Sequence, residues 1–323
     1  MSGGAIHLRR LRWIAGGVAV LFFLVIVAGV TVRVLGAGMG CPDWPTCYGQ
    51  LIPPLRESEL PPDYRERYAV AGRLAEPFDP VKTWAEYLNR LISVVAGLGV
   101  VFLVGYTWLF LRGDRQLLLY VSLVPGLLLI QALLGWRVVA TYLAEHLITV
   151  HMLFSVLLTG LVLWIWARTF ALRERPLQGE WRWYGWLGVG SWFLLLMQVL
   201  LGAGVRAAIS QKGVEQGLET VLFFVHRSFS WFVLAGWAYF HWRLYREPTR
   251  QPLARRWAIW TTLALLVQVG TGAGMAYLAF SPVLQVIHLV SALFALNAGF
   301  LCLYFLRNTA YGRSDQLIPE FSA

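Results

Sequence analysis

The sequence has few charged residues, and the charges that it has are unequally divided between the two signs. Asp, Glu, Lys and Arg make up 14% of the 323 residues, and 27 basic residues are set against only 17 acidic ones. Hydrophobic residues reach 58% and the mean hydropathy is +0.60, far outside the range of soluble domains. This composition argues against a soluble enzyme and indicates an integral membrane protein.

The excess of basic residues bears on the binding partner and on the membrane topology. A net charge of +10 would indicate a nucleic-acid partner if Lys and Arg formed one surface patch. They lie instead in short segments between apolar runs, so we predict no nucleic-acid partner and interpret the charge as a topology signal. The first run, from Trp13 to Val34, lacks a small-residue cleavage site and is long enough to span. It predicts a retained helix in contact with the lipid bilayer.

Long apolar runs predict an all-α, polytopic protein with eight transmembrane helices. The runs cover residues 12–34, 84–111, 117–139, 143–170, 183–208, 217–243, 255–279 and 283–306. An even number of spans places both termini on one side, and basic residues mark that side as cytoplasmic. These residues lie before the first span and at Arg112, Arg115, 168–182, 243–256, Arg307 and Arg313. We therefore expect a multi-pass plasma-membrane protein whose long segment 35–83 is extracytoplasmic.

Cysteine is scarce, with three residues in the chain. Cys41 and Cys47 lie in the long outer segment, on the oxidising side of the membrane, where a disulfide is favoured. Two free thiols or a metal site are the alternatives, although no His lies nearby to complete a zinc or copper sphere. Cys302 lies inside the eighth run and is predicted to be a buried, inert thiol.

The sequence contains an internal repeat. A shift of 137 residues superimposes polar residues and glycines of the two halves without a gap: Asn89–Arg90 on His226–Arg227, Ser93 on Ser230, Gln131 on Gln268, Gly135 on Gly272 and His151 on His288. The first helices match at a shift of 173, which places Arg33 on Arg206. We predict two tandem four-helix bundles, residues 1–175 and 176–323, related by a pseudo-two-fold axis along the bilayer normal.

Histidine positions on this repeat predict a heme protein. Asn89, His151, His226 and His288 all lie within the first two or three turns of the even-numbered helices, at one depth. Two imidazoles from facing helices can hold one heme in a bundle core, and the second half supplies such a pair. The alternative is that each His only hydrogen-bonds within its bundle, but recurrence at equal spacing and depth favours heme.

Four arginines accompany these positions. Arg33 and Arg206 close the first helix of each half, and Arg90 and Arg227 directly follow the ligand positions. An intramembrane Arg needs a partner, and heme propionates would supply carboxylates that match the guanidinium fork. Snorkelling to headgroups is the alternative, above all for Arg33 and Arg206.

Glu86 has no counterpart in the second half, because the 137-residue shift places Phe223 there. An acid found only in the half with the incomplete ligand pair indicates that the halves have diverged, one toward chemistry and one toward a fixed cofactor. A simple helix cap, favoured by the helix dipole, explains the residue equally well.

Together these residues resemble the heme A synthase family. The matching motifs are the Arg33–Gly49 segment with its Gly36–Pro45 core, Glu86–Arg90, the stretch 131–135, His151, His226–Arg227 and His288. The resemblance covers all eight predicted spans, and the cysteine loop is its most specific part.

The resemblance implies a heme oxidoreductase. His226 and His288 would bind the iron of a heme b cofactor, the N-terminal half would bind heme o and oxidise its C8 methyl group to a formyl, and Glu86 would be the functional acid. Cys41 and Cys47 match the family's loop cysteines. Heme A for terminal oxidases would be the product, with an unidentified electron donor and heme o synthase as candidate partners.

One residue departs from the family pattern, since many members have His where this chain has Asn89. Asn is a poor iron ligand, so His151 alone would hold the substrate iron and leave an open coordination site. His146 lies five residues earlier and points about 140° away on a helix, which predicts a loop-end or propionate contact.

Two other functions and two further features stay open at this point. A diheme electron-transfer protein would place hemes near both membrane faces, and a heme transporter or chaperone would need an access path. The segment 50–83 is interpreted as a lid or a partner surface, and a homo-oligomer is compatible with the Gly- and Trp-rich spans.

Overall fold

The computed structural model describes residues 3–170, 173–174, 180–246 and 252–309. The predicted domain boundary at 175/176, the topology residue Arg313 and parts of the connections 168–182 and 243–256 lie outside these residues.

Eight long helices dominate the described chain. They are α1 (Gly3–Val34), α2 (Pro80–Phe110), α3 (Arg115–Ala140), α4 (Glu145–Arg168), α5 (Glu180–Lys212), α6 (Val221–Arg246), α7 (Pro252–Tyr277) and α8 (Pro282–Arg307). All eight are long and apolar enough to cross a membrane. The predicted all-α class and number of spans are confirmed, and the chain is a multi-pass membrane protein. A two-residue antiparallel strand pair also joins Arg173–Glu174 to Asn308–Thr309.

Helix α1 begins earlier than the predicted start at residue 12. Hydropathy marks only the apolar part of a helix, whereas Arg has a high intrinsic helix propensity and continues the helix into the polar region. The added turns also pack: His7 stacks on Phe110 with ring centroids 4.7 Å apart, and its Nδ1 lies 3.0 Å from the hydroxyl of Tyr106. These contacts fasten the start of α1 to the end of α2.

Each half of the chain forms a closed ring of four helices. In the first half, α1 packs on α2, α2 on α3, α3 on α4 and α4 on α1, and α5 to α8 repeat this order. Helix α8 also packs on α1 and α4, which joins the rings. The division into two domains at 175/176 and the pseudo-two-fold relation between them remain predictions.

The two rings enclose separate apolar cores. Trp237, Phe240 and Phe305 are fully buried in the second ring, and Leu103 and Ile165 are fully buried in the first. Because lipid is as apolar as these side chains, close packing rather than escape from water favours this association.

The segment between α1 and α2 folds around a small core of its own. It contains a 3₁₀ turn (Glu57–Glu59) and a short helix (Tyr64–Arg67), packed near the bonded Cys41 and Cys47. Burial raises the pKa of Tyr48, another core residue, to about 12, so its phenol is neutral at physiological pH. The disulfide prediction is confirmed, and the bonded sulfurs replace the alternatives of free thiols or a metal site.

The third cysteine behaves as predicted. Cys302 is a free thiol and is fully buried in the core of the second ring.

Candidate functional site

The four predicted ligand positions lie near the starts of the even-numbered helices. Asn89 is the tenth residue of α2, His151 the seventh of α4, His226 the sixth of α6 and His288 the seventh of α8. All four therefore lie within the first three turns.

Each ligand position faces a glycine of the preceding helix. A Cβ added to these glycines would lie 3.8 Å from Asn89 Oδ1 at Gly29, 3.3 Å from His151 Cε1 at Gly135, 3.0 Å from His226 Cε1 at Gly202 and 3.3 Å from His288 Cε1 at Gly272. At the three His positions the distance is tighter than an ordinary van der Waals contact. Glycine therefore provides the space in which each imidazole lies.

A glutamine four residues before each of these three glycines holds the His backbone. Gln131 Nε2 donates to the carbonyl of His151 at 3.2 Å, Gln198 Nε2 to that of His226 at 3.0 Å, and Gln268 Nε2 to that of His288. Sequence reasoning recognised two of the three glutamines as repeat matches and missed Gln198. The threefold recurrence of Gln-x-x-x-Gly was the signal that could have identified it.

The imidazoles of His226 and His288 face one another in the second ring, with centroids 6.5 Å apart. Two imidazoles that share one metal at the usual metal–nitrogen distance of about 2.0 Å hold their ring centres about 6 to 6.5 Å apart. The pair therefore has a spacing that fits two axial ligands of one iron.

A hydroxyl group lies beside His288. Thr271 Oγ1 is 2.7 Å from the carbonyl of Val267 and 3.0 Å from His288 Nδ1. A hydroxyl that donates to this carbonyl accepts from Nδ1–H, and that tautomer has its Nε2 lone pair free to bind a metal. Sequence reasoning missed Thr271, because its repeat equivalent is Leu134.

A cavity of about 580 Å³ surrounds this pair, within the size range of cofactor pockets. Its walls include His226, His288, Arg206 and Arg227, and also Met152 from α4 of the first ring. The Nε atom of Arg206 is buried without a hydrogen-bond partner. Arg227 donates to the hydroxyl of Tyr277 at 3.0 Å. The cavity thus combines apolar walls, paired imidazoles and two cations, which fits a heme with its propionates.

The first ring has a different set of polar groups. His151 Nδ1 and Asn89 Oδ1 are both buried without a hydrogen-bond partner, while His151 Nε2 lies 3.2 Å from Gln131 Nε2. Unpaired buried polar atoms are costly and need an explanation. A ligand that binds between α2 and α4 would supply one.

Arg33 forms an ion pair with Glu145, the first residue of α4, at 2.6 Å. His146, the next residue, is exposed. The structure therefore brings Arg33 to the start of the helix that carries His151.

Glu86 and Arg90 connect the first ring to the cysteine loop. Arg90 donates to the carbonyls of Cys41, Asp43 and Thr46 at 2.7–2.8 Å, and to Glu86 Oε1 at 2.6 Å. The backbone N–H of Cys41 donates to Glu86 Oε2 at 2.8 Å. Both amino groups of Arg90 are thus engaged with the loop and Glu86, whereas the prediction that Arg90 binds a propionate stays untested.

The alternative that Glu86 caps its helix is wrong. Asp79 is the N-cap of α2 and accepts from the N–H groups of Val81 and Lys82. Glu86 lies in the second turn, is 4% exposed and bonds to the loop. The sequence showed both acids but not which one begins the helix.

The outer segment also rests on the turn that precedes α4. A Cβ at Gly38 would lie 3.1 Å from Leu143, the Tyr142 hydroxyl donates to Glu76 at 3.3 Å, and the Arg73 guanidinium lies 4.7 Å from the centroid of the Tyr142 ring. These contacts place the segment across the end of the first ring at which α4 begins, and its role as a lid or a partner surface stays a prediction.

Comparison with known proteins identifies the family. Residues 12–299 match the family COX15-CtaA, described as cytochrome oxidase assembly protein. This match covers most of the chain. The chain belongs to the COX15-CtaA family.

Relatives of this COX15-CtaA protein include three named heme A synthase. Those of Shewanella oneidensis and Bradyrhizobium sp. are 30% and 28% identical, with alignments that cover 60% and 61% of this chain and 56% and 57% of the relatives. That of Erythrobacter litoralis is 26% identical over 80% of this chain and 78% of its own length. The chain thus spans less than two thirds of the length of the first two.

The contacts of Arg90 generate a prediction about the outer segment. Arg90→Lys keeps the charge but cannot reach three carbonyls and a carboxylate, so we expect the segment to open more often. Tryptic cleavage at its exposed arginines should accelerate by about tenfold, the effect of losing charge-assisted hydrogen bonds. The matched control is Arg227→Lys, the repeat equivalent, which should leave cleavage unchanged. Equal cleavage of both variants and the unaltered protein would show that Arg90 does not hold the segment.

Proposed function

We propose that this protein is a heme A synthase, an oxidoreductase that converts the C8 methyl group of heme o to a formyl group. The observation that carries the proposal is the spacing of His226 and His288 in a cation-lined cavity, in a chain of the COX15-CtaA family. The names of the relatives support the same activity.

The second ring would hold a resident heme b. His226 and His288 would hold its iron, Thr271 and Gln268 would orient His288, and Arg206 and Arg227 would bind the propionates. When bound, the heme iron supplies one-electron redox chemistry that no protein side chain offers at this site.

The first ring would bind heme o as substrate. His151 is the single imidazole at the ligand level of this ring, and Asn89 lies at the facing position with its Oδ1 buried and unpaired. Arg33 is placed to bind a propionate. The iron would then have one protein ligand and one open side, which suits oxidation better than electron storage.

Glu86 would act on protons beside the substrate. Its carboxyl group is held by Arg90 and by the N–H of Cys41, so its position is set before the substrate arrives. Written as a half-reaction, conversion of a methyl to a formyl group takes up the oxygen of one water and releases four protons and four electrons (R–CH3 + H2O → R–CHO + 4 H+ + 4 e−). An external oxidant would take the electrons, and a buried acid at the mouth of the ring would accept and pass the protons.

A transmembrane electron-transfer function is not favoured by this geometry. A protein that transfers electrons across the bilayer needs pairs of heme ligands near both membrane faces. The four predicted ligand positions, by contrast, all lie within three turns of the N-terminal ends of their helices. We place the protein in the plasma membrane with cytoplasmic termini, where heme o synthase and an electron donor would be its partners.

Pigment analysis tests the proposal directly. The protein is co-expressed with a heme o supply, and extracted hemes are separated by chromatography; we expect formyl heme A together with heme b. His226→Ala should lose the resident heme b, while His241→Ala should retain it, because His241 bonds Thr262 at 2.9 Å and does not line the cavity. Absence of heme A with heme b retained would exclude the synthase and leave a b-type heme protein.

Replacement of Glu86 separates chemistry from structure. Glu86→Ala should lower heme A formation by about a hundredfold, the usual contribution of a positioned acid or base, and should leave heme o or a hydroxylated intermediate with the resident heme b unchanged. Chromatography and the heme b absorbance measure both. Equal loss of all hemes would instead reduce Glu86 to a structural residue.

Asn89 tests the open coordination site. Asn89→His should convert the bound substrate heme from a high-spin to a low-spin electron paramagnetic resonance signal and reduce turnover, since a second imidazole would occupy the open side of the iron. Asn89→Gln is the control and should stay high-spin. A low-spin signal with undiminished turnover would contradict the open-site idea.

A further inference from the structure

An ion pair in the first ring includes an arginine that has a repeat equivalent in the second ring. Arg33 lies in the last turn of α1 and forms an ion pair of 2.6 Å with Glu145 at the start of α4. Arg206 of α5 is the repeat equivalent of Arg33 and lines the cavity of the second ring. The side chains of Arg33 and Glu145 are only 23% and 22% exposed, so water screens this pair incompletely.

The two arginines differ in their counter-ions. Among the described residues, Arg206 has no ion pair, and its Nε is buried without a partner. A cation without a counter-ion is costly at membrane depth. A propionate of the resident heme would supply the counter-ion to Arg206, whereas Arg33 already has one in Glu145.

Glu145 belongs to the first ring alone. The 137-residue shift places Pro282, the first residue of α8, at the equivalent position. Arg33 and Arg206, by contrast, are repeat equivalents of one another. A carboxylate confined to the ring that would bind substrate indicates a role in that ring rather than in the fold common to both.

We propose that Glu145 is a specificity-determining residue that competes with a propionate of the substrate porphyrin for Arg33. This inference rests on the proposed function and names a residue for substrate affinity. A propionate that binds Arg33 displaces Glu145 from this ion pair. Glu145 thereby lowers the affinity for a porphyrin diacid and keeps the product from binding too tightly.

The test uses holoprotein with its resident heme in lipid nanodiscs. Zinc protoporphyrin IX, which takes one axial ligand, is titrated by its fluorescence, and its uncharged dimethyl ester is titrated in parallel. Glu145→Gln should tighten diacid binding by about fivefold or more, a typical coupling between sites, and should leave ester binding unchanged. Glu76→Gln is the matched control, since Glu76 pairs with Lys82 on the outer segment and its loss adds the same charge.

Two further variants distinguish the outcomes. Arg33→Gln should weaken diacid binding and abolish the effect of Glu145→Gln, and Glu145→Asp should bind with intermediate affinity. Retained absorbance of the resident heme verifies folding in every case. Diacid binding that is unchanged or weaker in Glu145→Gln would overturn the inference and leave the synthase proposal intact, as expected if Glu145 only stabilises the start of α4. Failure of the unaltered protein to bind the diacid would overturn the substrate site itself.

Discussion

The contact between an imidazole and a glycine of the preceding helix is the constraint on which the rest of the site depends. A Cβ at Gly135, Gly202 or Gly272 would lie closer to the imidazole ring than an ordinary van der Waals contact,. The glycine lets two helices approach closely, and the glutamine one turn earlier holds the His backbone from the same helix. One helix therefore determines where its neighbour presents an imidazole.

The two rings share a framework but differ in their polar residues. The second ring has the complete imidazole pair, with the Thr271 hydroxyl beside His288. The first ring has Asn89 in place of one imidazole, and it alone has Glu86 and the disulfide-bonded segment across its outer end. The internal repeat accounts for the shared geometry, and the residues without repeat partners are where the two halves differ.

Hydropathy and the internal repeat predicted much of this structure from sequence. The eight spans, the depth of the ligand positions and the cysteine pair follow from local patterns, because apolar length, helical spacing and cellular side are properties of short segments. The start of α1 was missed because Arg9 and Arg10 end the apolar signal without ending the helix. The Arg33–Glu145 pair could not be predicted, since it joins residues 112 positions apart whose meeting depends on helix packing. The partners of Arg90 could not be predicted either. Most of them are backbone carbonyls of the loop, which every residue type has, so the sequence does not mark them.

Helix α4 stands between the two sites, with His151 directed to Gly135 of its own ring and the adjacent Met152 in the wall of the other cavity. Because α4 alone separates the two sites, no further layer of protein lies between them. Any tilt or rotation of α4 moves residues of both sites at once. Substitutions that adapt one site to a new porphyrin will therefore be constrained by the need to keep the shape of the other site.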